Sequence, residues 1–374
     1  MTRLDSVRLT QDLLRLNTIN PPGSEDACAR VLGAILEKAG FSVRRHEFAP
    51  GRTSLVARIG GLPEKPPLCL TGHMDTVPLG SAAWSKDPFA GEIDSGRLFG
   101  RGSSDMKSGL AALVAGAVAL APRLERTAGL ELVLTASEEN GCQGAFRLLR
   151  GKALGRAGAM VVAEPTSNYP LVGHKGALWL RALASGVTAH GSMPEQGVNA
   201  IYKAARAIGK LEAFRFGDAP HALMGHSTLN VGTVHGGMNI NSVPDAAALE
   251  IDIRTVPGVN HRELIAELAK RLAPEAALEP IVDIEPVYTE PQNEWIASVF
   301  QVMEPILGET PAPRTATYFT DAAPLGEAYG QPPTVILGPG EPAMAHRTDE
   351  YCVLDRIGQS VAAYEEIIAR WCLT

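Results

Sequence analysis

The stretch PLCLTGHMDTVP, residues 67–78, holds the reading that decides the fold. Its first four residues are a short apolar run, the pattern of a strand buried on both faces, and a histidine and an aspartate follow at once as His73 and Asp75. Two further runs repeat the arrangement. Leu130–Leu134 leads into TASEENG with Glu138 and Glu139, and Ala159–Val162 leads into AEP with Glu164. In an open α/β sheet, ligand-binding groups collect beyond the carboxyl ends of parallel strands. Three strands that each end in an imidazole or carboxylate predict such a sheet, with a site for a hard or borderline cation along one edge.

Working outward, helical spacing covers Ser6–Leu16, and Asn20-Pro21-Pro22-Gly23 stops it. A second helix is expected from Ser24, as N-cap, to Gly40. Asp105, in GRGSSDMKSG, stands directly before an expected helix Met106–Leu120. After Lys175-Gly176 the pattern changes. The chain then reads strand (177–184), helix (198–214), strand (228–234), strand (246–254), helix (261–272) and strand (278–285), the β-α-β-β-α-β order of a ferredoxin-like domain. Near Val287 it returns to the first pattern, with a helix 294–307, a strand 334–337 and a final helix from Leu354. The expected organisation is an α/β catalytic domain (1–175 and 288–374) interrupted by an inserted domain (176–287).

Composition narrows the function classes. Among 374 residues the formal net charge is −7, which gives no basic stripe for nucleic acid or an anionic membrane surface. The longest apolar run, Leu110–Ala121, is too short and alanine-rich to span a bilayer, and charges interrupt the N-terminal segment so that no signal-peptide core appears. Five scattered cysteines with no CxxC pair argue against a disulfide framework and for a reducing, cytoplasmic setting.

Each site residue also has a bland reading. Asp105 could be a helix cap, Glu138-Glu139 two solvated carboxylates, Glu164 a loop charge, and an HxD pair a surface turn. Four separate segments each offering a ligand where a strand ends or a helix starts tell against that reading. Gly100-Arg101-Gly102 lacks the third glycine of a dinucleotide loop, and Asp105 would repel a pyrophosphate. His174, His221, His226, His235 and His261 have no partners at ligand spacing and read as ordinary. Cys142 has no neighbouring histidine to make it a nucleophile.

GHMDTVP (72–78), WSKDPF (84–89), LFGRGSSDMKSGLAA (98–112), TASEENG (135–141), AEP (163–165), AHGSMPEQGVNAI (189–201), NSVPD (241–245), DIR (252–254) and GPG…AHRTDEY (338–351) run in one order along the chain. Together they resemble the M20 metallopeptidase family, in the branch of acetylornithine deacetylase and succinyl-diaminopimelate desuccinylase. The resemblance implies a metal-dependent exopeptidase-type domain with an inserted lid and dimerisation domain. It also implies two divalent ions per chain, zinc by default with cobalt or manganese as alternatives. His73 and Glu164 would hold one ion and Glu139 and His346 the other, with Asp105 bridging them. Asp75 would orient His73, and Glu138 would be the general base. A cis peptide would follow Asp105. In the inserted domain His190 would stabilise the oxyanion from a partner subunit, Arg254 would bind the substrate carboxylate and Asn241 would hydrogen-bond the substrate. Gly338 and Gly340 would let substrate approach the backbone.

The expected reaction is hydrolysis of an N-acyl amino acid by a homodimer, and the alternative is cleavage of a dipeptide or a C-terminal residue. TYFTDAAPL (317–325) leans towards small neutral acyl groups. A non-catalytic descendant would have lost a ligand or the base, and none of these positions is lost.

Overall fold

The computed structural model describes residues 3–217 and 219–374. The chain divides into two compact units. The first holds residues up to 173, 288–315 and 320–374, and the second holds 174–287 and 316–319.

In the first unit α1 (Ser6–Leu14) starts where the Asp5 carboxylate accepts the N–H groups of Val7 and Arg8. Helix α2 (Asp26–Lys38) starts one residue later than expected, and Ser24 does not cap it. Glu25 stands at the cap position, but its carboxylate is taken by Arg52 at 2.8 and 3.0 Å. An edge hairpin of β1 (Ser42–Ala49) and β2 (Arg52–Ile59) follows, then β3 (Leu68–His73). Helix α3 (Ser108–Leu120) begins later than expected because Asp105 and Met106 have non-helical backbone angles within the π-type turn Ser103–Lys107. Strand β4 (Leu130–Thr135), helix α4 (Gln143–Arg150) and strand β5 (Ala159–Val162) complete this part.

The chain then forms the second unit from β6 (Gly176–Ser185), α5 (Ala200–Glu212), β7 (Thr228–Gly236), β8 (Ala246–Thr255), α6 (His261–Leu272) and β9 (Ala277–Ile284). It returns through α7 (Glu294–Leu307), α8 (Ala322–Tyr329), β10 (Thr334–Ile336) and α9 (Leu354–Cys372).

The first unit's sheet has the order β1-β2-β4-β3-β5-β10. Strands β4, β3, β5 and β10 are parallel, and the hairpin adds antiparallel strands at one edge. Strands β3, β4 and β5 are buried along their whole length, which explains their unbroken apolar runs. Helix α3 is buried all round from Ser108 to Ala117, with Leu110, Leu113 and Val114 in one core with Leu70 and Leu132 of the sheet and Tyr364 and Ile368 of α9. A buried aliphatic side chain of this kind contributes about 1.5–3 kcal/mol. The segment Ser103–Arg123 is the one stretch among the described residues long and apolar enough to cross a membrane, and most of it lies inside this core.

The second unit's sheet is antiparallel throughout, in the order β7-β8-β6-β9. One face alternates into a core under the helices, where Leu178, Leu180, Ile251 and Ile253 meet Ala204, Leu211, Leu264 and Leu268. The boundaries drawn from the sequence need a correction. Residues 316–319 belong to the second unit because Ala316 accepts the N–H of Lys175 at 3.2 Å, and Phe319 packs edge-on against Trp179.

Candidate metal centre

Parallel strands bring their carboxyl ends to one edge, so β3, β4 and β5 deliver His73, the Glu138-Glu139 turn and Glu164 to the same place. Past β4 the chain turns sharply, with the Glu138 carbonyl accepting the N–H groups of Gly141 and Cys142 at 2.8 Å each. The turn sends the two adjacent glutamates in different directions. Asp105 arrives from the π-type turn before α3, where the Asp105–Met106 peptide is cis. His346 comes from the loop after β10 with a left-handed backbone, φ 63°.

His73 Nε2 lies 3.0 Å from Asp105 Oδ1 and 3.8 Å from Glu164 Oε2. His346 Nε2 lies 3.1 Å from Glu139 Oε2 and 3.5 Å from Asp105 Oδ2. The two oxygens of Asp105 therefore face different histidines. One ligand atom from each of His73, Asp105 and Glu139 falls within 4.8 Å of the others. Beneath them His73 Nδ1 meets the Asp75 carbonyl oxygen at 3.0 Å, closer than the Asp75 carboxylate at 3.5 Å. The expected imidazole–carboxylate contact is thus shared with the backbone. The Asp75 carboxylate mainly accepts the N–H groups of Glu138 and Glu139 and the side chain of Asn20.

The electrostatics suit a cation. Burial pushes Glu138, Glu139 and Glu164 above the ordinary carboxylate range, and neighbouring carboxylates add to it. Burial would lower His73, yet Glu164, Asp105 and Asp75 together raise it. Hydrogen bonds to Asp105 and Glu139 push His346 up to about 10. Glu139 Oε1 is buried without a hydrogen-bond partner among the described residues. Protons drawn to crowded carboxylates and an unused buried oxygen mark a place where divalent cations would replace protons, and imidazole with carboxylate is a donor set such ions accept.

Three groups escaped sequence reading. Glu350, fully buried, accepts the N–H groups of Gly102, Ser104 and Asp105 at 2.8–3.0 Å and pairs with buried Arg101 at 2.6 Å. Its position in HRTDEY beside His346 was the available signal. Asn20, in the Pro-rich stop after α1, bonds Asp75, Ser137 and Asn140. Asp321, also buried, accepts the Thr135 hydroxyl, and burial raises it to about 6. The Cys142 thiol is buried 3.8 Å from Glu138 Oε1 and pushed well up by burial, the opposite of an activated nucleophile.

The glycines after β10 allow a close approach within the protein itself. A Cβ on Gly338 would lie 2.3 Å from the Ala163 carbonyl oxygen, and one on Gly340 would lie 2.2 Å from that of Ser104. Both let this loop press against the segments that carry Glu164 and Asp105, so the close approach they permit is to the protein's own backbone.

Three expected residues lie on the second unit. His190 is exposed, and its Nδ1 meets the Ser192 hydroxyl at 2.7 Å and accepts the Ser192 N–H at 3.2 Å. Asn241 is exposed, and its carbonyl accepts the Gly191 N–H at 2.8 Å. Arg254 pairs with Asp252 at 2.9 Å and sits over the Phe319 ring. His261 proves not to be an ordinary histidine. It bonds Asp283 at 2.6 Å and Thr255 at 2.7 Å, with Glu285 3.8 Å away. Thr255 and the His261 ring are buried, so the hydroxyl that this row orients has no access for a substrate.

A parallel sheet with a carboxylate–histidine cluster at its strand ends is the architecture of a metal-dependent hydrolase. Residues 69–370 match the profile of peptidase family M20/M25/M40, and the chain belongs to that family. It is 32% identical to the acetylornithine deacetylase of Proteus mirabilis, over 94% of this chain and 91% of that one. It is 28% identical to a probable succinyl-diaminopimelate desuccinylase of Staphylococcus epidermidis, over 98% of both chains. A metallo-carboxypeptidase of the M20 family from Sulfolobus solfataricus superimposes with a TM-score of 0.83, covering 97% of this chain and 98% of that one at 18% identity. The protein is a metallohydrolase acting on amide bonds.

Proposed function

We propose that the protein deacylates a small N-acyl amino acid, releasing the free amino acid and a carboxylate. The observation that carries this reading is the Asp105 carboxylate set between His73 and His346, with Glu138 buried beside it. In this assignment His73 and Glu164 would hold one divalent ion and Glu139 and His346 the other, with Asp105 shared between them. Zinc is the default, with cobalt and manganese as alternatives. When bound, such a pair lowers the pKa of a shared water and polarises the scissile carbonyl.

The chain's own residues do the rest. Glu138, raised by burial, takes the proton from the attacking water and delivers it to the departing nitrogen. Asp75 holds the His73 ring and the Glu138-Glu139 backbone in place. Arg254, paired with Asp252, presents a planar fork for the substrate carboxylate. Asn241 is a further hydrogen-bonding group for the substrate.

We assign His190 to the oxyanion in the site of a partner subunit. Its Nδ1 accepts from the Ser192 N–H, which leaves Nε2–H free to donate. The second unit exposes Val187, Val198, Tyr202, Val234, Met238 and Ile240, an apolar surface of the kind a homodimer would cover. The five buried free cysteines fit a cytoplasmic setting. Neither nucleic acid nor membrane is a partner in this reading.

The test is a product assay with added zinc or cobalt over N-acetyl, N-succinyl and N-formyl amino acids and dipeptides. Deacylation of N-acetyl substrates well above all others is expected. Preference for dipeptides would replace this reading with a peptidase of the same chemistry.

A further inference from the structure

The first unit carries a second polar concavity between edge strand β1 and helix α4, of about 430 Å³. Successive strand residues face opposite sides, so Arg44, His46 and Phe48 share the β1 face that lines it. Arg147, Gly151 and Lys152 line it from the last turn of α4 and the residues after it. Of the neighbouring arginines, Arg30 pairs with Asp26, Arg52 with Glu25 and Arg58 with Glu131. Arg44, Arg147 and Lys152 have no carboxylate within ion-pairing distance among the described residues. The single acid in the lining, Glu47, has one oxygen engaged by the Gly51 N–H at 3.0 Å.

A chain of net charge −7 thus keeps three unpaired cations around one groove. Mutual repulsion of like charges disfavours that arrangement unless something negative relieves it. Phe48 and Leu148 give the groove an apolar floor, with the Arg147 guanidinium over the Phe48 ring at 6.0 Å. A single inorganic ion would use little of such a floor.

We propose that this groove binds a small organic anion with two or more closely spaced negative oxygens, a phosphate monoester or a polycarboxylate. Arg44 and Arg147 grip its oxygens with forked N–H donors, and Lys152 adds a point charge. None of these residues belongs to the metal centre, so the groove is a binding site separate from the reaction.

Calorimetric titration of the metal-loaded protein tests this with two probes that chelate weakly, glycerol 2-phosphate and tricarballylate, against chloride at matched ionic strength. Saturable binding at one site per chain is expected for at least one probe, and which of them binds distinguishes a phosphate site from a carboxylate site. Arg44→Ala with Arg147→Ala should weaken it by at least about tenfold, while Arg44→Lys, which keeps the charge and loses the fork, falls between. Hydrolysis by all three proteins should be unchanged in the absence of probe. Binding that survives the double substitution would belong to the metal centre and overturn the proposal. So would the lack of saturable binding, or binding that chloride abolishes equally.

Discussion

The buried carboxylate of Glu350 accepts the backbone N–H of Asp105 at 2.9 Å. The same carboxylate takes the N–H groups of Gly102 and Ser104 and the charge of Arg101, so one side chain holds the whole turn that presents Asp105. Glu350→Ala leaves buried Arg101 without its partner. Breaking a buried ion pair from one side costs about 3–5 kcal/mol. Denaturant unfolding of the metal-free protein should show a loss of that size, with weaker metal uptake in the folded remainder. A loss below about 1 kcal/mol, the value of an exposed pair, would remove Glu350 from this role.

Glu138→Gln should keep the fold and the metal content and lower kcat by about 10²–10⁴-fold, the usual contribution of a positioned base. The amide occupies the same space but cannot receive the proton of the attacking water. Metal analysis beside steady-state kinetics separates loss of the base from loss of the metal. Near-normal kcat at full metal content would demote Glu138 to a structural residue.

His346 couples metal binding to pH. In the metal-free chain its value is raised to about 10, above the roughly 6.5 of a free histidine. The stability that protonated His346 gives the metal-free fold is therefore fully present below about pH 6.5 and is lost as pH rises towards about 10. A metal ion needs the neutral ring and competes with that proton. Thermal scans of chelated protein should show Tm falling across this window beyond any fall in His346→Gln. Zinc-loaded protein should not show it, and zinc affinity should rise with pH. A chelated wild-type protein whose Tm follows that of His346→Gln would refute the coupling.

Activity itself should vanish on chelation and return with zinc or cobalt, at up to two ions per chain. Chelation that removes the ions and leaves the rate intact would exclude the metal mechanism altogether.

Mixed dimers test whether His190 serves the partner's site. His190→Ala and Glu138→Ala should each be nearly inactive, since one oxyanion donor is worth about 3–4 kcal/mol of barrier and the base a similar amount. In a verified heterodimer one site would combine Glu138 of one chain with His190 of the other. Recovery to at most half of the wild-type rate is expected. No recovery would assign His190 to its own chain.

Much of this protein is written locally. The apolar runs at 68–70, 130–134 and 159–162 state that their strands are buried on both faces, and the residues directly after them are the ligand types. The strict alternation of β8, in which Leu249, Ile251 and Ile253 go inward, sets the second unit's antiparallel sheet equally plainly. Periodicity acts over a few residues, and these features are a few residues long.

What local pattern could not supply was decided by partners far apart in the chain. The β1–β2 hairpin was missed because β1, at a sheet edge, has no clean alternation, and its register is set by β2, which in turn pairs with β4. Residues 316–319 join the second unit through contacts distant in the chain, with His174–Lys175, Trp179 and Arg254. Ser24 lost its expected cap because Glu25 found Arg52, 27 residues on. Met106 looks helical by composition, yet the helix waits until Ser108 because the turn before it is fixed by Glu350, which lies 245 residues beyond Asp105. The sequence determined which residues could hold a cation; the meeting of distant backbone donors with one buried carboxylate decided how they are held.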